Sequence, residues 1–292
     1  MKPTVSVIIP VYNGADEVRR AIDSALAQVK CEVEVIVLND GSKDDTRTVV
    51  NEYGDKIRAI HQENSGLAQT RNNGILAARG EWVAFLDHDD YWKPEKLSEQ
   101  LKAAERTSAD VVYTNAKNFG DVDRVGNLRS EPSAMLEGDV LEPLLLDNFI
   151  VVSSVMIRRS VVQQFEGFNA SLPCVEDWDL WLRLSAQGVR FTAVREPVTM
   201  YQWRPGSMSK NFDLMRTTRK RIVSNALETD RAKALPWSVR RRALASIERC
   251  SAWFLAASSP GKAIGWYANS LWYWPFNMDS WKGVVKGCLG RS

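Results

Sequence analysis

The sequence predicts an α/β protein, a mostly parallel, Rossmann-like sheet flanked by helices, followed by a C-terminal helical extension. Three observations carry that prediction. Short apolar runs alternate four times with helical patterns before residue 90, and strand–helix alternation through short connections means a parallel sheet with crossovers. The charge then changes sign along the chain. Residues 1–210 hold 24 Lys+Arg against 31 Asp+Glu, whereas residues 211–292 hold 14 against five. Six of the eleven tryptophans also fall in that last segment, so the two parts present surfaces suited to different partners.

At 292 residues the chain can bury one large α/β domain and carry an appendage. The four cysteines, Cys31, Cys174, Cys250 and Cys288, are far apart and form no Cys-x-x-Cys pair. That argues against a disulfide framework or a zinc site and for a reducing compartment. The start runs at once into a strand pattern, with no secretory signal, and no apolar run approaches the length of a membrane span. The expected location is cytoplasmic.

Val5-Ser6-Val7-Ile8-Ile9-Pro10-Val11 reads as a buried parallel strand. A helix follows, with Val18, Ile22, Ala25 and Leu26 on one face. Val33–Leu38 is the second strand and ends in Asn39-Asp40-Gly41-Ser42; Asp44 and Asp45 open the next helix, through Val49 and Val50. Ile57–Ile60 is a third short strand. Asn64-Ser65-Gly66 leads into a helix over 67–78, and the run from Trp82 to Leu86 is the fourth strand. Beyond Ala109, strands are expected at 110–114, 151–157, 191–194 and 198–203, and a hairpin or loop at 117–128. The stretch 175–184 is an amphipathic helix stopping at Gly188. From Asn211 onward the pattern is mostly helical.

The fourth strand delivers Asp87, Asp89 and Asp90 within four residues to its carboxyl end, where open α/β sheets bind ligands. Carboxylates this close raise one another's pKa unless a cation shares them, and hard oxygens suit Mg²⁺ or Mn²⁺ held with a diphosphate. The plainer reading is an acidic turn in which Asp90 caps a helix starting near Lys93-Pro94-Glu95. Three further clusters stand at strand ends: Pro10-Val11-Tyr12-Asn13, Asn39-Asp40-Gly41-Ser42, and Asn64 to Arg71. Pro10, Tyr12 and Asp40 could hold a planar base, and Arg71 a diphosphate; singly, each cluster is ordinary turn chemistry.

Taken in order, these motifs resemble glycosyltransferase family 2, the inverting, sugar-nucleotide-dependent transferases of the GT-A fold. The matching stretches are Ser6–Gly14, Asn39–Thr46, Asn64–Asn72, Phe85–Asp90 and Glu176-Asp177-Trp178, and the resemblance covers residues 4–210. It implies that Pro10, Val11, Tyr12, Asn13, Asp40, Asn64 and Arg71 surround the nucleotide. It implies further that Asp87 lies near the ribose, with His88 a nucleotide-binding candidate in the variable position of the acidic motif, and that Asp89, with Asp87, holds Mn²⁺ or Mg²⁺ on the diphosphate. Asp177 is then the catalytic base and Glu176 the next candidate; the two point about 100° apart on a helix. An acidic first turn matching the helix dipole is the structural alternative for that pair. One departure stands out: Arg204 occupies the place where many members of the family have histidine. Arginine stays protonated and cannot ligate a metal, but it can clamp a diphosphate.

The resemblance thus implies a hexosyl-type transferase moving sugar from a nucleotide sugar, a UDP-sugar for preference, to a glycan or lipid-linked acceptor in cell-surface polysaccharide synthesis. Residues 1–210 would be the catalytic domain, with a nucleotide half at 1–108 and an acceptor and base half at 109–210. Residues 211–292 would be a basic, Trp-rich extension. A nucleotidyltransferase would need a glycine-rich basic loop after the first strand, and Gly14-Ala15-Asp16-Glu17 is not one. A non-catalytic sugar-nucleotide-binding protein is the other alternative. The tail carries no nucleic-acid module, so nucleic acid is not an expected partner. Trp281, Val284, Val285, Cys288 and Leu289 fall on one helical face. Together with the aromatics of 266–276 and Arg240-Arg241-Arg242, they suggest contact with an anionic membrane surface, with a homodimer interface as the competing use.

Overall fold

The computed structural model describes residues 3–120, 126–203 and 211–289. Its strands are β1 (Val5–Val11), β2 (Val33–Asp40), β3 (Arg58–Gln62), β4 (Trp82–Phe85), β5 (Tyr91–Trp92), β6 (Val111–Gly120), β7 (Met156–Arg158) and β8 (Phe191–Trp203). They form one mixed sheet in the order β3-β2-β1-β4-β7-β6-β8-β5. The block β3-β2-β1-β4 is parallel. β7 runs antiparallel to both β4 and β6, β6 and β8 are parallel, and β5 closes the edge antiparallel to β8.

β1 is buried along its whole length because helices cover both faces of the sheet there. Val5, Val7, Ile9 and Val11 share a core with Val18, Ile22 and Ala25 of the helix Val18–Leu26. Ile8 points the other way, as the two-residue strand period requires, and meets Gly74 of the helix Leu67–Ala77. A Cβ at Gly74 would stand 2.5 Å from Ile8 Cγ2, so the glycine sets how closely that helix lies on the sheet.

Contacts divide the chain into two compact units. The first comprises Met1–Asp139, Phe149–Ser171 and Val189–Ser207 and holds the entire sheet; the second comprises Val140–Asn148, Leu172–Gly188 and Met208–Ser292. The second unit is helical, built from Leu141–Leu146, Glu176–Ala186, Phe212–Leu227, Asp230–Lys233, Trp237–Leu255, Pro260–Tyr273 and Met278–Cys288. It therefore joins to the tail two stretches that the sequence reading groups with residues 109–210. Within it, Glu248 is buried and takes a two-pronged pair of bonds from Arg216, both at 2.7 Å, the geometry in which arginine and carboxylate bond most strongly.

Several expectations are corrected. The run 151–157 is not one strand: Val152–Ser154 forms a 3₁₀ turn before β7, because the Ser154 hydroxyl bonds back to Val151 O at 2.6 Å. The strands expected at 191–194 and 198–203 are the single β8, which absorbs a register shift where it pairs with Thr114–Ala116. β6 runs on to Gly120, and Lys117 pairs back with Leu128, a hairpin-like return; residues 121–125 lie outside the description. Asp90 caps no helix, since the helix Lys96–Thr107 starts after Glu95 without a side-chain cap.

In the tail, the helical face 281/284/285/288/289 is split. Gly283 and Gly287 let the last helix sit against Tyr267 and Ile264, which carries Val284 into a small core with Trp266 and Tyr267. Trp281, Val285, Cys288 and Leu289 remain exposed. All four cysteines are free thiols. No helix among the described residues is long and apolar enough to cross a membrane.

Candidate active site

The loops after β1, β2, β3 and β4 are tied to one another in the first unit. Asn13 N donates to Ser42 Oγ at 2.9 Å, and Lys43 N returns to Asn13 Oδ1 at 2.8 Å. Gly14 N and Ala15 N donate to Thr46 and Asp44. Asn13 takes a positive φ of 51°, a conformation asparagine tolerates better than most side chains. Gly14 must be glycine for a different reason: a Cβ there would strike the His88 ring at 2.3 Å. His88 therefore joins the first loop to the fourth.

Asp40 fastens the second loop to the third. Its carboxylate accepts from Gln62 Nε2 at 2.7 Å, Ser65 N at 2.9 Å and Gly66 N at 3.0 Å, while Asn64 Nδ2 donates to Asp40 O at 3.0 Å. Burial opposes the charge on Asp40, but donors from Ser65, Gln62, Thr70 and Gly66 outweigh it and hold the carboxyl below the usual carboxylate range. Pro10 and Val11 are buried, whereas Tyr12 is 43% exposed. The loops thus present Tyr12 as an open aromatic face beside backbone fixed on every side.

The three carboxylates after β4 do not converge. Asp87 takes Arg71 Nη2 at 2.6 Å, and Arg71, only 1% exposed, lies over the Phe168 ring. Asp90 turns inward, accepts from Gln202 N at 2.8 Å and leaves Oδ2 buried without a partner. Burial, reinforced by the charges of Asp89 and Asp87, pushes its carboxyl well above the usual range. Asp89 stays half-buried, its carbonyl receiving Arg20 Nη2 at 2.8 Å. Among the described residues, no three His, Cys, Asp or Glu side chains are grouped to hold an ion by themselves. Asp87 and Asp89 still offer hard oxygens of the type that binds Mg²⁺ or Mn²⁺. Magnesium in particular keeps waters and substrate phosphate oxygens among its ligands, so the donor set fits an ion held jointly with a diphosphate.

In the second unit, Glu176 and Asp177 open the helix Glu176–Ala186 and are half-buried. Asp177 accepts from Asn148 Nδ2 at 3.2 Å and from Trp178 N at 2.7 Å. Trp178 Nε1 donates to Leu144 O at 2.7 Å, which fixes the first turn on the helix Leu141–Leu146. The preceding Val175 has φ 55°, a true outlier for a β-branched side chain, and such strain gathers at functional sites. Arg204 lies outside the described residues.

Sequence reasoning missed Arg20, Gln62, Ser153 and Asn148. Arg20 sits on an outward helical face and Ser153 reaches Asp87 N only through folding, so neither carries a local signal. Gln62 falls beside the third motif. Asn148 lies 29 residues from Asp177, with nothing between to announce it. His61, by contrast, bonds Asn39 and Asn51 and so serves the structure of the β2–β3 edge.

A mixed sheet whose parallel block ends in interlocked loops and an acidic strand terminus, with helices on both faces, defines a GT-A glycosyltransferase. A family profile described as glycosyl transferase family 2 matches residues 6–165, and the chain belongs to that family. It is 32% identical over 212 residues to UDP-Glc:alpha-D-GlcNAc-diphosphoundecaprenol beta-1,3-glucosyltransferase WfaP of Escherichia coli, covering 71% of this chain and 80% of WfaP. It is 38% identical over 191 residues to an uncharacterized glycosyltransferase of Rickettsia bellii; there the match takes 62% of this chain and spans only 27% of the relative. Among solved structures, S. aureus TarS 1-349 in complex with UDP-GlcNAc superposes with a TM-score of 0.69 at 18% identity, covering all of this chain and 93% of TarS 1-349. At that identity the likeness speaks for the fold.

Proposed function

We propose that this chain moves a sugar from a UDP-sugar to a glycan or lipid-linked saccharide, with inversion, in cell-surface polysaccharide synthesis. The carrying observation is the set of interlocked loops beside exposed Tyr12, joined to the acidic strand end where Gly14 meets His88. Tyr12 would stack on the base, the fixed backbone of 13–15 and 64–66 would line the nucleotide, and His88 would flank the ribose and diphosphate. Asp40 and Arg71 act in this reading by ordering the loops. The UDP-Glc donor and diphosphoundecaprenol-linked acceptor of WfaP support a UDP-sugar donor and a lipid diphosphate acceptor.

Asp89 and Asp87 would hold Mn²⁺ or Mg²⁺, which supplies positive charge against the departing diphosphate. Asp177 would take the proton of the acceptor hydroxyl as it attacks the anomeric carbon, because a hydroxyl is a poor nucleophile at neutral pH. Asn148 orients that carboxylate. A single displacement inverts the centre and needs no covalent intermediate. In this reading residues 1–210 carry the chemistry. Residues 211–292 bring it to an anionic membrane surface at the cytoplasmic face through exposed Trp237 and Trp272.

Incubating the chain with a panel of UDP-sugars and Mn²⁺, and reading both transfer and donor hydrolysis, tests the proposal. The expected result is turnover of one donor, lost on chelation, with Asp89→Ala losing metal-supported UDP binding. Binding without turnover of any donor would favour the non-catalytic reading, and sugar-nucleotide formation from a nucleoside triphosphate the nucleotidyltransferase.

A further inference from the structure

The second unit contains an open groove of about 430 Å³ that no step above uses. Its floor is one face of the helix Trp237–Leu255, where Arg242, Ala245, Ser246 and Arg249 follow at helical spacing. Its far wall is the turn Trp274–Asn277 with Met278 and Asp279 at the start of the last helix, and its end is Leu146-Asp147. The wall is braced. Arg241 donates to Trp272 O and Tyr273 O, the Trp274 and Phe276 rings pack edge to face at 5.4 Å, and Ser246 Oγ donates to Leu146 O at 2.6 Å.

The position of the groove gives it meaning. Asp147 at its end is the residue before Asn148, whose amide bonds the Asp177 carboxylate at 3.2 Å. One peptide unit therefore separates the lining of the groove from the partner of the proposed base. The lining is polar in a particular way. Arg249 meets no carboxylate among the described residues, only the Cys250 sulfur at 3.6 Å. Arg242 reaches Glu142 only at 3.9 Å. The two guanidinium groups start about 10 Å apart along the helix, with Asp147 and Asp279 opposite and the Phe276 ring, 76% exposed, at the rim.

We propose that this groove binds the acceptor, a saccharide bearing phosphate, and leads its free hydroxyl toward Asp177; the inference rests on the transferase reading for the role of that base. Guanidinium forks match phosphate oxygens. Carboxylates accept from sugar hydroxyls, and a ring at the rim suits the apolar C–H face of a pyranose. A concave site with a few convergent polar groups and this volume is the usual form of a small-ligand site. A flat anionic lipid surface fits less well, because Asp147 and Asp279 would face it.

The test is an equilibrium titration of the full chain with glucose 1-phosphate, with UDP and Mn²⁺ saturating so that the donor loops are filled. Wild-type chain should bind saturably. Arg242→Gln and Arg249→Gln should each weaken binding at least about tenfold, the worth of one charge-assisted hydrogen bond. Phe276→Ala should weaken binding of glucose 1-phosphate but not of inorganic phosphate, and the affinity for UDP should stay put in all three. No saturable binding by wild type, or affinities within twofold in both arginine variants, overturns the proposal. It also falls if the arginine variants lose binding to phosphatidylglycerol vesicles by the same factor, since the groove is then part of a lipid-facing surface. Asp177→Asn keeps the two readings apart: transfer lost with glucose 1-phosphate binding intact concerns the base, whereas the titration concerns the groove.

Discussion

At the scale of single residues, Asp177 and Asp40 show how one side-chain type serves two ends. Asp177 is half-buried, held by Asn148 and its own helix start, and in the proposed reading it takes the proton of the incoming hydroxyl. Asp177→Asn keeps the shape and removes the basicity, so transfer should fall by roughly 10²–10⁴-fold while UDP binding persists. Near-normal transfer in that variant, with loss in Glu176→Gln, would assign the base to the neighbour instead. Asp40 spends its charge on the loop 62–66, and those donors hold its pKa down. A depressed carboxylate pKa contributes stability that is fully present above the unfolded value, near 4, and is lost as pH falls through the lower folded value. Acid unfolding of Asp40→Asn, followed by circular dichroism, should therefore show a shallower loss below about pH 4 than wild type. An unchanged slope would mean that the loop donors do not favour the ionised form.

At the scale of elements, the parallel block of the sheet aligns the loop-bearing strand ends, and the helix Leu67–Ala77 is pressed on β1 through Gly74. Gly74→Ala would drive a Cβ to 2.5 Å from Ile8. Overpacking of a filled core costs about 1–3 kcal/mol, a shift that urea denaturation can measure. A change below about 0.5 kcal/mol would show that the helix can lift without penalty. The same logic governs the tail, where Gly283 and Gly287 seat the last helix. The apolar stripe read from its sequence included Val284 because helical periodicity alone cannot tell which edge of a broad apolar face finds a partner. The glycines decide it, by letting Tyr267 and Ile264 approach.

At the scale of the whole molecule, the extension carries the exposed tryptophans found among the described residues. Trp272 is 80% and Trp237 68% exposed, whereas Trp266 and Tyr267, which the sequence groups with them, are core. Of the three consecutive arginines, Arg240 and Arg241 are bonded to backbone carbonyls. Co-sedimentation with phosphatidylglycerol vesicles should recover the chain in the pellet. Recovery should fall with added salt and with Trp237→Ser and Trp272→Ser combined. Equal recovery in the supernatant with and without anionic vesicles, together with a dimer by light scattering that the same substitutions dissolve, would give these aromatics to a second copy of the chain.

The sequence by itself determined the fold class and the order of the loop motifs, because alternating apolar periods and turn residues act over a few neighbours and survive without tertiary context. Five strand-end and helix-start motifs in order were enough to indicate a family and nominate its site residues. Only the tertiary structure decided which partner each carboxylate of the candidate site meets. Asp87 meets Arg71, sixteen residues back; Asp90 meets Gln202 N, 112 residues on; Asp177 meets Asn148. Three acidic side chains that look alike in the sequence are thereby separated into an ion-paired one, a buried one whose carboxyl is pushed well above the usual range, and a half-buried one at a helix start. Desolvation and hydrogen bonding set their chemistry, and both depend on partners that the chain brings together only by folding.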